Sequence, residues 1–296
     1  MPAPISPPSI DQICEQALRL PCSPALLPRL AAALQREDCT AGEIEAIIVL
    51  DPPLAGATLR LANSVFFGGG TDARVSTPAE AVVRLGQREV YRLAALVLVE
   101  RWERLVPRGL SWEPGDFCRH ALCTGLAAEV LAEKTGRVDP ATAYTAGLLC
   151  DLGKLALAHA CANFYPAVRA CCEEIRCTWE EAEQNVLGCH HTEISGRLLR
   201  EWRFPEDLSL AAEFQSRPTE APAPALPLLA HLHAAKYLAT ALGPGVAEDG
   251  FLITVHGEFL EAEGFTSHLL EEVMPELMLR AQARLGDKLT HGALAL

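Results

Sequence analysis

Apolar side chains recur at every third or fourth position along most of the chain, which is the spacing of one buried face of an α-helix. Leu27, Leu30, Ala31 and Leu34 form one such stripe. The strict alternation of apolar and polar residues that is typical of half-buried strands is rare along the chain. The pattern therefore predicts an all-α protein.

Helix N-termini are marked by side chains that can cap the first turn. Asp or Thr stands directly before proline at several places, where the missing N–H of proline costs nothing because it would have no helical partner. Threonine followed three residues later by glutamate forms a reciprocal capping box. The Asp-Pro and Thr-Pro pairs begin at Asp51, Thr77 and Asp139, and the capping boxes are Thr40 with Glu43, Thr77 with Glu80, and Thr178 with Glu181. We expect a helix to begin after each of these residues.

Two stretches rich in turn residues interrupt the helical pattern. The first lies at residues 107–115, and the second runs from Arg217 to Pro227, where prolines mixed with alanine predict a stiff, extended connector. We therefore expect three parts. They are an N-terminal helical layer over residues 1–110, a helical bundle over residues 111–218, and the connector with C-terminal helices over residues 219–296.

Charge and hydropathy exclude two classes of function. The chain of 296 residues has 25 basic and 38 acidic side chains, a formal net charge of −13. Binding to a phosphate backbone draws its affinity from lysine and arginine, so we expect no nucleic-acid partner. The apolar run Leu93 to Val99 is too short to span a bilayer, and prolines interrupt any apolar segment near the N-terminus. We expect a cytoplasmic protein with no membrane contact.

The eleven cysteines never form a C-x-x-C pair, so the sequence encodes neither a zinc ribbon nor a thioredoxin-type redox pair. We expect reduced thiols that serve mostly as small core side chains.

An ordered series of motifs resembles the HDOD domain family. The glycine-containing segment Ala146–Lys154, which reads AGLLCDLGK, is similar to a reworked form of the "HD-x-G-K" motif of related proteins. The other blocks are Leu20-Pro21-x-x-Pro24, Asp51-Pro52-x-Leu54, the run from Leu59 to Gly68, the run from Ala81 to Gly86, Glu181-Ala182-Glu183 with His191-x-Glu193, and Leu198-Leu199-x-x-Trp202-x-x-Pro205. The resemblance implies an all-helical bundle of the kind found in HD-superfamily metal-dependent phosphohydrolases.

The same resemblance implies that the catalytic site of that superfamily is degenerate here. His120, Asp151 and His191 match candidate metal ligands, and Lys154 matches the motif lysine. Cys150 stands where the family has the histidine of its His-Asp pair, and Gln215 and Ser216 stand in place of a later pair of histidines. We expect no bound metal and no cofactor. A zinc ion held by His120, Asp151, His191 and Cys150 is the alternative, since zinc accepts thiolate ligands.

Simpler roles for these residues remain open. His120 and His191 could be hydrogen-bonded core histidines, and Asp151 could cap the following helix turn or pair with Lys154.

The resemblance further implies a non-catalytic bacterial signal-transduction module that acts through protein–protein contacts. A degenerate metal-dependent phosphohydrolase is the alternative. The ligand count separates the two, and the loss of ligands favours the non-catalytic module. Arg84, Arg88 and Arg92 follow at intervals of four and predict a basic ridge that faces a protein partner.

Overall fold

The computed structural model describes residues 6–19, 26–34, 36, 38–64, 75–107, 115–242 and 254–285. Every regular element in these residues is helical, which confirms the all-α prediction. The α-helices are α1 (Ile10–Leu18), α2 (Leu26–Leu34), α3 (Ala41–Ile48), α4 (Pro52–Ala62), α5 (Pro78–Leu85), α6 (Gln87–Leu105), α7 (Asp116–Thr135), α8 (Pro140–Leu149), α9 (Leu152–Ala160), α10 (Tyr165–Ile175), α11 (Trp179–Leu187), α12 (His191–Glu201), α13 (Glu206–Phe214), α14 (Leu226–Ala241), α15 (Gly257–Ala262) and α16 (Ser267–Leu285).

The capping residues begin helices as the sequence predicts. Asp51, Thr77 and Asp139 are the N-caps of α4, α5 and α8, and each side chain accepts a hydrogen bond from a backbone N–H of the first turn. The three capping boxes form at the starts of α3, α5 and α11. Local chemistry therefore fixes where many of these helices start.

The described helices divide into two compact units. One unit contains α1, the end of α6 from Val99, and α7 to α16, and the other contains α2 to α5 and α6 as far as Leu98. Within the larger unit, α1 contacts α9 and α12, and α14 and α16 contact α7. The division into three parts at the turn-rich stretches stays a prediction.

The proline-rich segment after Arg217 differs from the extended connector that its composition predicts. It forms two short 3₁₀ turns, Pro218–Glu220 and Ala223–Ala225, and α14 begins at Leu226. Pro218 and Ala225 are both buried. Pro227 lies in the first turn of α14, a position that proline fits, so the segment leads directly into this helix.

Helix α7 is the centre of the larger unit and is buried along almost its whole length. It packs most extensively against α8, and glycines make the approach close. A Cβ atom on Gly147 would lie 2.6 Å from the carbonyl oxygen of Thr124. Gly153 has the same role between α9 and α12, because a Cβ atom on it would lie 1.9 Å from the carbonyl oxygen of His191.

None of the described helices combines the length and the uninterrupted apolar character needed to cross a membrane.

The close approach at Gly153 predicts a large cost for the smallest substitution. Gly153→Ala should lower the free energy of unfolding by about 3 kcal/mol, because backbone on the facing helix cannot move aside as a side chain can. Urea denaturation followed by circular dichroism measures this change. Gly257→Ala is the matched control, since its added methyl group meets nothing within 4 Å. Equal stability of the two variants would contradict the packing described here.

Candidate functional site

Asp151 lies between α8 and α9 and is the residue around which the candidate site is built. It occupies the N-cap position of α9, but its side chain makes no capping hydrogen bond. The carboxylate points into the bundle instead, where only 2% of the residue is exposed. A carboxylate that is this deeply buried is stable only beside positive charge or several donors.

Two ammonium groups supply that positive charge. Lys236, from the middle of α14, donates to Asp151 Oδ1 at 3.0 Å. Lys154 Nζ, from the first turn of α9, lies 3.7 Å from Asp151 Oδ2. Burial alone would raise the pKa of Asp151, but the two lysines, with His120 and His191, hold it well below its ordinary value. Asp151 is therefore an ionised carboxylate at neutral pH.

The two histidines predicted for the site contact the same carboxylate. His120 Nε2, from α7, lies 3.4 Å from Asp151 Oδ2, and His191 Nε2, from the start of α12, lies 3.9 Å from Asp151 Oδ1. The structure thus brings together all three residues that the resemblance suggested as ligands. Both imidazoles are buried.

Glu183, on α11, fixes the orientation of His191. Its Oε2 accepts hydrogen bonds from the His191 backbone N–H at 2.8 Å and from Nδ1 at 2.7 Å. Its Oε1 accepts from the indole N–H of Trp179 at 3.0 Å. Burial lowers the pKa of His191, but Glu183 raises it by more, so the net direction is upward. Histidine ligands in metal sites are oriented in a similar way, by a carboxylate that accepts a hydrogen bond from the ring nitrogen facing away from the metal.

Gln215 joins Lys236 to the backbone near the motif segment. Its Oε1 accepts from Lys236 Nζ at 2.6 Å, and its Nε2 donates to the carbonyl oxygens of Cys150 at 2.9 Å and Ala212 at 3.0 Å. Every hydrogen-bonding group of this amide is therefore used within the bundle. We call Asp151, Lys154, Lys236, Gln215, His120 and His191 the buried ionic cluster.

A small polar pocket of about 60 Å³ adjoins the buried ionic cluster. Its lining includes Glu180, His191, Gln215, Ser216, His233 and Lys236. Glu180 accepts hydrogen bonds from Ser216 Oγ at 2.6 Å and Thr192 Oγ1 at 3.0 Å. Ser216, the second position of the lost histidine pair, thus holds a carboxylate of α11. The pocket has room for a few water molecules.

His233 is a neutral imidazole at the edge of this pocket. Its Nε2 accepts from the backbone N–H of His256 at 3.0 Å, so its Nδ1 carries the proton and donates to the carbonyl oxygen of Gln215 at 3.1 Å. Burial lowers the pKa of His233 to about 4. The ring therefore fixes the backbone beside Gln215 without adding charge.

The residues present do not fit a divalent metal ion. The Cys150 thiol donates to the carbonyl oxygen of Gly147 at 3.4 Å, and burial raises its pKa, so it is not a thiolate ligand. Lys236 already places a cation 3.0 Å from the central carboxylate. Among the described residues no group of three or more histidine, cysteine, aspartate or glutamate side chains is arranged to hold a metal.

The three arginines of the predicted basic ridge lie in the smaller unit and differ in solvent exposure. Arg84, on α5, is half-buried and donates to the carbonyl oxygen of Ala62 at 3.4 Å. Arg92, on α6, is half-buried with its guanidinium 3.4 Å from Glu89. Arg88 is exposed at the start of α6. Gly86 separates the two helices that carry these residues.

Sequence reasoning missed Lys236, Glu180 and Glu183 as parts of the site. Glu183 belongs to the block Glu181-Ala182-Glu183, but the position of this block in the sequence does not indicate that Glu183 contacts His191. Lys236 could have been identified from the sequence, because it is the only lysine or arginine in the apolar helix that reads LPLLAHLHAAKYLATA. A lysine at such a position is almost never buried without a partner.

Comparisons with known proteins match the fold over nearly the whole chain. The family model described as HDOD domain matches residues 20–218. An HDOD domain protein of unknown function from Geobacter sulfurreducens is similar with a TM-score of 0.73 and 20% identity, over 95% of this chain and 98% of that one. A search of the curated proteins finds no significant match.

Two further solved structures share this fold. A candidate signal transduction protein from Marinobacter aquaeolei VT8 has a TM-score of 0.72 and 24% identity, over 91% of this chain but only 59% of that one. A candidate phosphohydrolase from Shewanella amazonensis SB2B has a TM-score of 0.66 and 24% identity, over 95% of both chains.

The buried ionic cluster predicts a strong dependence of stability on Lys236. Lys236→Met should lower the free energy of unfolding by about 3 kcal/mol at neutral pH, because it removes one partner of a buried ion pair. The pKa of Asp151 is depressed in the folded protein, so its stabilising effect is present above the unfolded pKa and is lost as pH falls through the folded pKa. Without Lys236 the folded pKa rises, and the cost of the substitution should therefore shrink at acidic pH.

Urea denaturation at neutral pH and at pH values below the ordinary pKa of an aspartate side chain measures both effects. Lys134→Met is the matched control, because Lys134 pairs with Glu272 at the surface, where such pairs contribute less than about 1 kcal/mol. Adding Asp151→Asn to Lys236→Met should recover much of the lost stability. A cost for Lys236→Met that matched the control and ignored pH would contradict the ion pair.

Proposed function

Because the chain belongs to the HDOD domain family, we propose that it is a non-catalytic bacterial signal-transduction module that acts by binding a partner protein. The observation that carries the proposal is the Lys236 ammonium group on the central carboxylate, 3.0 Å from Asp151 Oδ1. Phosphoester hydrolysis in the related enzymes depends on a divalent ion that activates water and stabilises the leaving group. A tethered ammonium supplies neither a metal-bound hydroxide nor an open coordination position.

The remaining polar groups support the same proposal. Gln215 uses its amide groups on Lys236, Cys150 and Ala212, and Glu180 is held by two hydroxyl groups. Such satisfied networks rigidify a bundle and give it one defined conformation. A rigid scaffold of this kind suits a protein that presents a fixed surface to a partner. The described cysteines are all free thiols, which suits our further proposal of a cytoplasmic location.

A metal-dependent phosphohydrolase is the second candidate. The arrangement of Glu183 behind His191 favours it, because the same pairing orients histidine ligands in metalloenzymes. One structural neighbour also has a name of this class. This candidate requires that a metal ion displace the Lys236 ammonium from Asp151, at a large desolvation cost to both charges.

The two candidates differ in metal-dependent turnover. We expect protein purified without chelator to hydrolyse neither phosphodiesters nor nucleotides with Mg²⁺, Mn²⁺ or Zn²⁺, because no described set of donors supports a metal. Asp151→Ala should change stability and no hydrolytic rate. Metal-dependent hydrolysis that disappears in both Asp151→Ala and His120→Ala would establish the phosphohydrolase and refute the non-catalytic module.

The predicted ridge gives a test of partner binding. Arg88 is its exposed member, so Arg88→Glu should abolish the capture of a protein from lysate of the native cells through charge reversal at the interface. Arg29→Glu is the matched control, because Arg29 is also exposed and lies in the same unit. Affinity purification with quantitative mass spectrometry measures the captured protein. Equal capture by both variants would remove the ridge from the proposal.

A further inference from the structure

The small polar pocket beside the buried ionic cluster has charges of both signs in its lining. Glu180, from α11, and Lys236, from α14, both contribute to it. Most of each side chain is buried, with 22% of Glu180 and 10% of Lys236 exposed. Charged groups that are buried to this extent usually have their hydrogen-bonding positions filled by partners. These two groups are each filled only in part.

Glu180 has one carboxylate oxygen that accepts no hydrogen bond. Ser216 Oγ and Thr192 Oγ1 both donate to Oε1, and no group among the described residues donates to Oε2. Burial raises the pKa of the Glu180 carboxyl group, but the charge of His191 and the hydrogen bond from Ser216 lower it by more. Glu180 is therefore ionised at neutral pH and presents an unused acceptor.

His190 does not supply the missing donor. Its Nδ1 lies 3.7 Å from Glu180 Oε1. The Thr192 hydroxyl proton is directed at Glu180, so His190 Nδ1–H donates to Thr192 Oγ1 at 2.9 Å. Burial lowers the pKa of His190, so this ring is neutral at neutral pH. Glu180 thus has no hydrogen-bonded cation, unlike Asp151 in the buried ionic cluster.

Lys236 has one N–H more than its partners use. An ammonium group carries three donors. Lys236 Nζ donates to Asp151 Oδ1 at 3.0 Å and to Gln215 Oε1 at 2.6 Å. The part of the chain that the structure describes supplies no acceptor for the third N–H. The pocket therefore offers one positively charged donor and one negatively charged acceptor.

The size and walls of the pocket restrict its occupant. Trp179 contributes an apolar wall, and Thr254 is exposed, so the pocket meets solvent at that residue. A closed cavity of about 150 Å³ holds benzene. A volume of about 60 Å³ therefore admits only a few non-hydrogen atoms, and any further part of a ligand must extend toward Thr254.

We propose that this pocket binds a small zwitterion, namely an α-amino acid with little or no side chain, such as glycine. The ammonium group of the ligand donates to Glu180 Oε2, and its carboxylate accepts from Lys236 Nζ. The carbon atom between them lies against Trp179. Lys236 would repel a ligand that is only a cation, and Glu180 would repel one that is only an anion, whereas a zwitterion gains from both charges.

Such a ligand would connect α11 to α14 through its two charged ends. Because it binds only the folded chain, it would also stabilise that state by mass action. No bond in the ligand is broken, so the inference does not rest on the proposed non-catalytic function. Metal-dependent hydrolysis of a phosphoester would refute that function and leave the binding result as it stands.

Isothermal titration calorimetry on the full chain tests the proposal, with glycine as the probe. Methylamine carries the ammonium group alone, acetate carries the carboxylate alone, and acetamide is uncharged and of similar size. We expect saturable binding of one glycine per chain. Methylamine, acetate and acetamide should each bind at least about tenfold more weakly, because each lacks one or both charge-assisted hydrogen bonds.

A single variant tests the acceptor. Glu180→Gln should weaken glycine binding at least about tenfold, because the amide has no negative charge but can still accept from Ser216 and Thr192. Glu174→Gln is the matched control, since Glu174 is exposed on α10, and it should bind glycine as the unaltered chain does. Circular dichroism melting curves establish that both variants are folded.

Four outcomes would overturn the assignment. They are no binding of glycine at millimolar concentration, equal affinity for glycine in Glu180→Gln and the unaltered chain, acetate binding as tight as that of glycine, and methylamine binding as tight as that of glycine. The third would indicate an anion site on Lys236, and the fourth a cation site on Glu180. If Glu180→Gln does not fold, the comparison of the four probes on the unaltered chain decides.

Discussion

A carboxylate that is buried in the middle of a helical bundle must be neutralised, and the larger unit of this protein is organised around that constraint. Asp151 is 2% exposed and is held by the ammonium groups of Lys154 and Lys236. The lysines come from helices that are far apart in sequence, so the ion pairs join α9 and α14 at one point. An unpaired charge at this depth would cost several kcal/mol, and the fold depends on keeping the pairs intact.

The same constraint explains why the site has histidines around a carboxylate, as a metal site does, but has a lysine ammonium group as the nearest cation. His120 and His191 lie on either side of the carboxylate, and Glu183 orients His191, as histidine ligands are oriented in metal sites. The cation beside the carboxylate is nevertheless a lysine side chain that cannot exchange or activate water. The positive charge beside the carboxylate is therefore supplied by the chain itself.

Local signals were sufficient to predict many of the helix starts, but not the full set of residues at the site or its electrostatics. Thr178 and Glu181 predict the start of α11 because a capping box depends only on neighbouring residues. Asp151 and the two histidines could be grouped through the resemblance to a family. Lys236 could not be paired with Asp151, because their contact spans 85 positions and depends on how α14 packs on α7 and α8. The composition of the proline-rich segment before α14 predicts an extended connector, because the burial of this segment is likewise a tertiary effect.

The pKa of the Asp151 carboxyl group tests the central claim most directly. It can be measured from the side-chain carbonyl resonance by ¹³C NMR, with the pH titration repeated in the presence of Zn²⁺ and of a chelator. The account predicts a pKa well below the ordinary value, a resonance unchanged by Zn²⁺ or chelator, and a marked upward shift of the pKa in Lys236→Met. An ordinary pKa in the wild-type protein, or a resonance that moves when Zn²⁺ is added, would contradict the claim that Lys236 is the cation of this site.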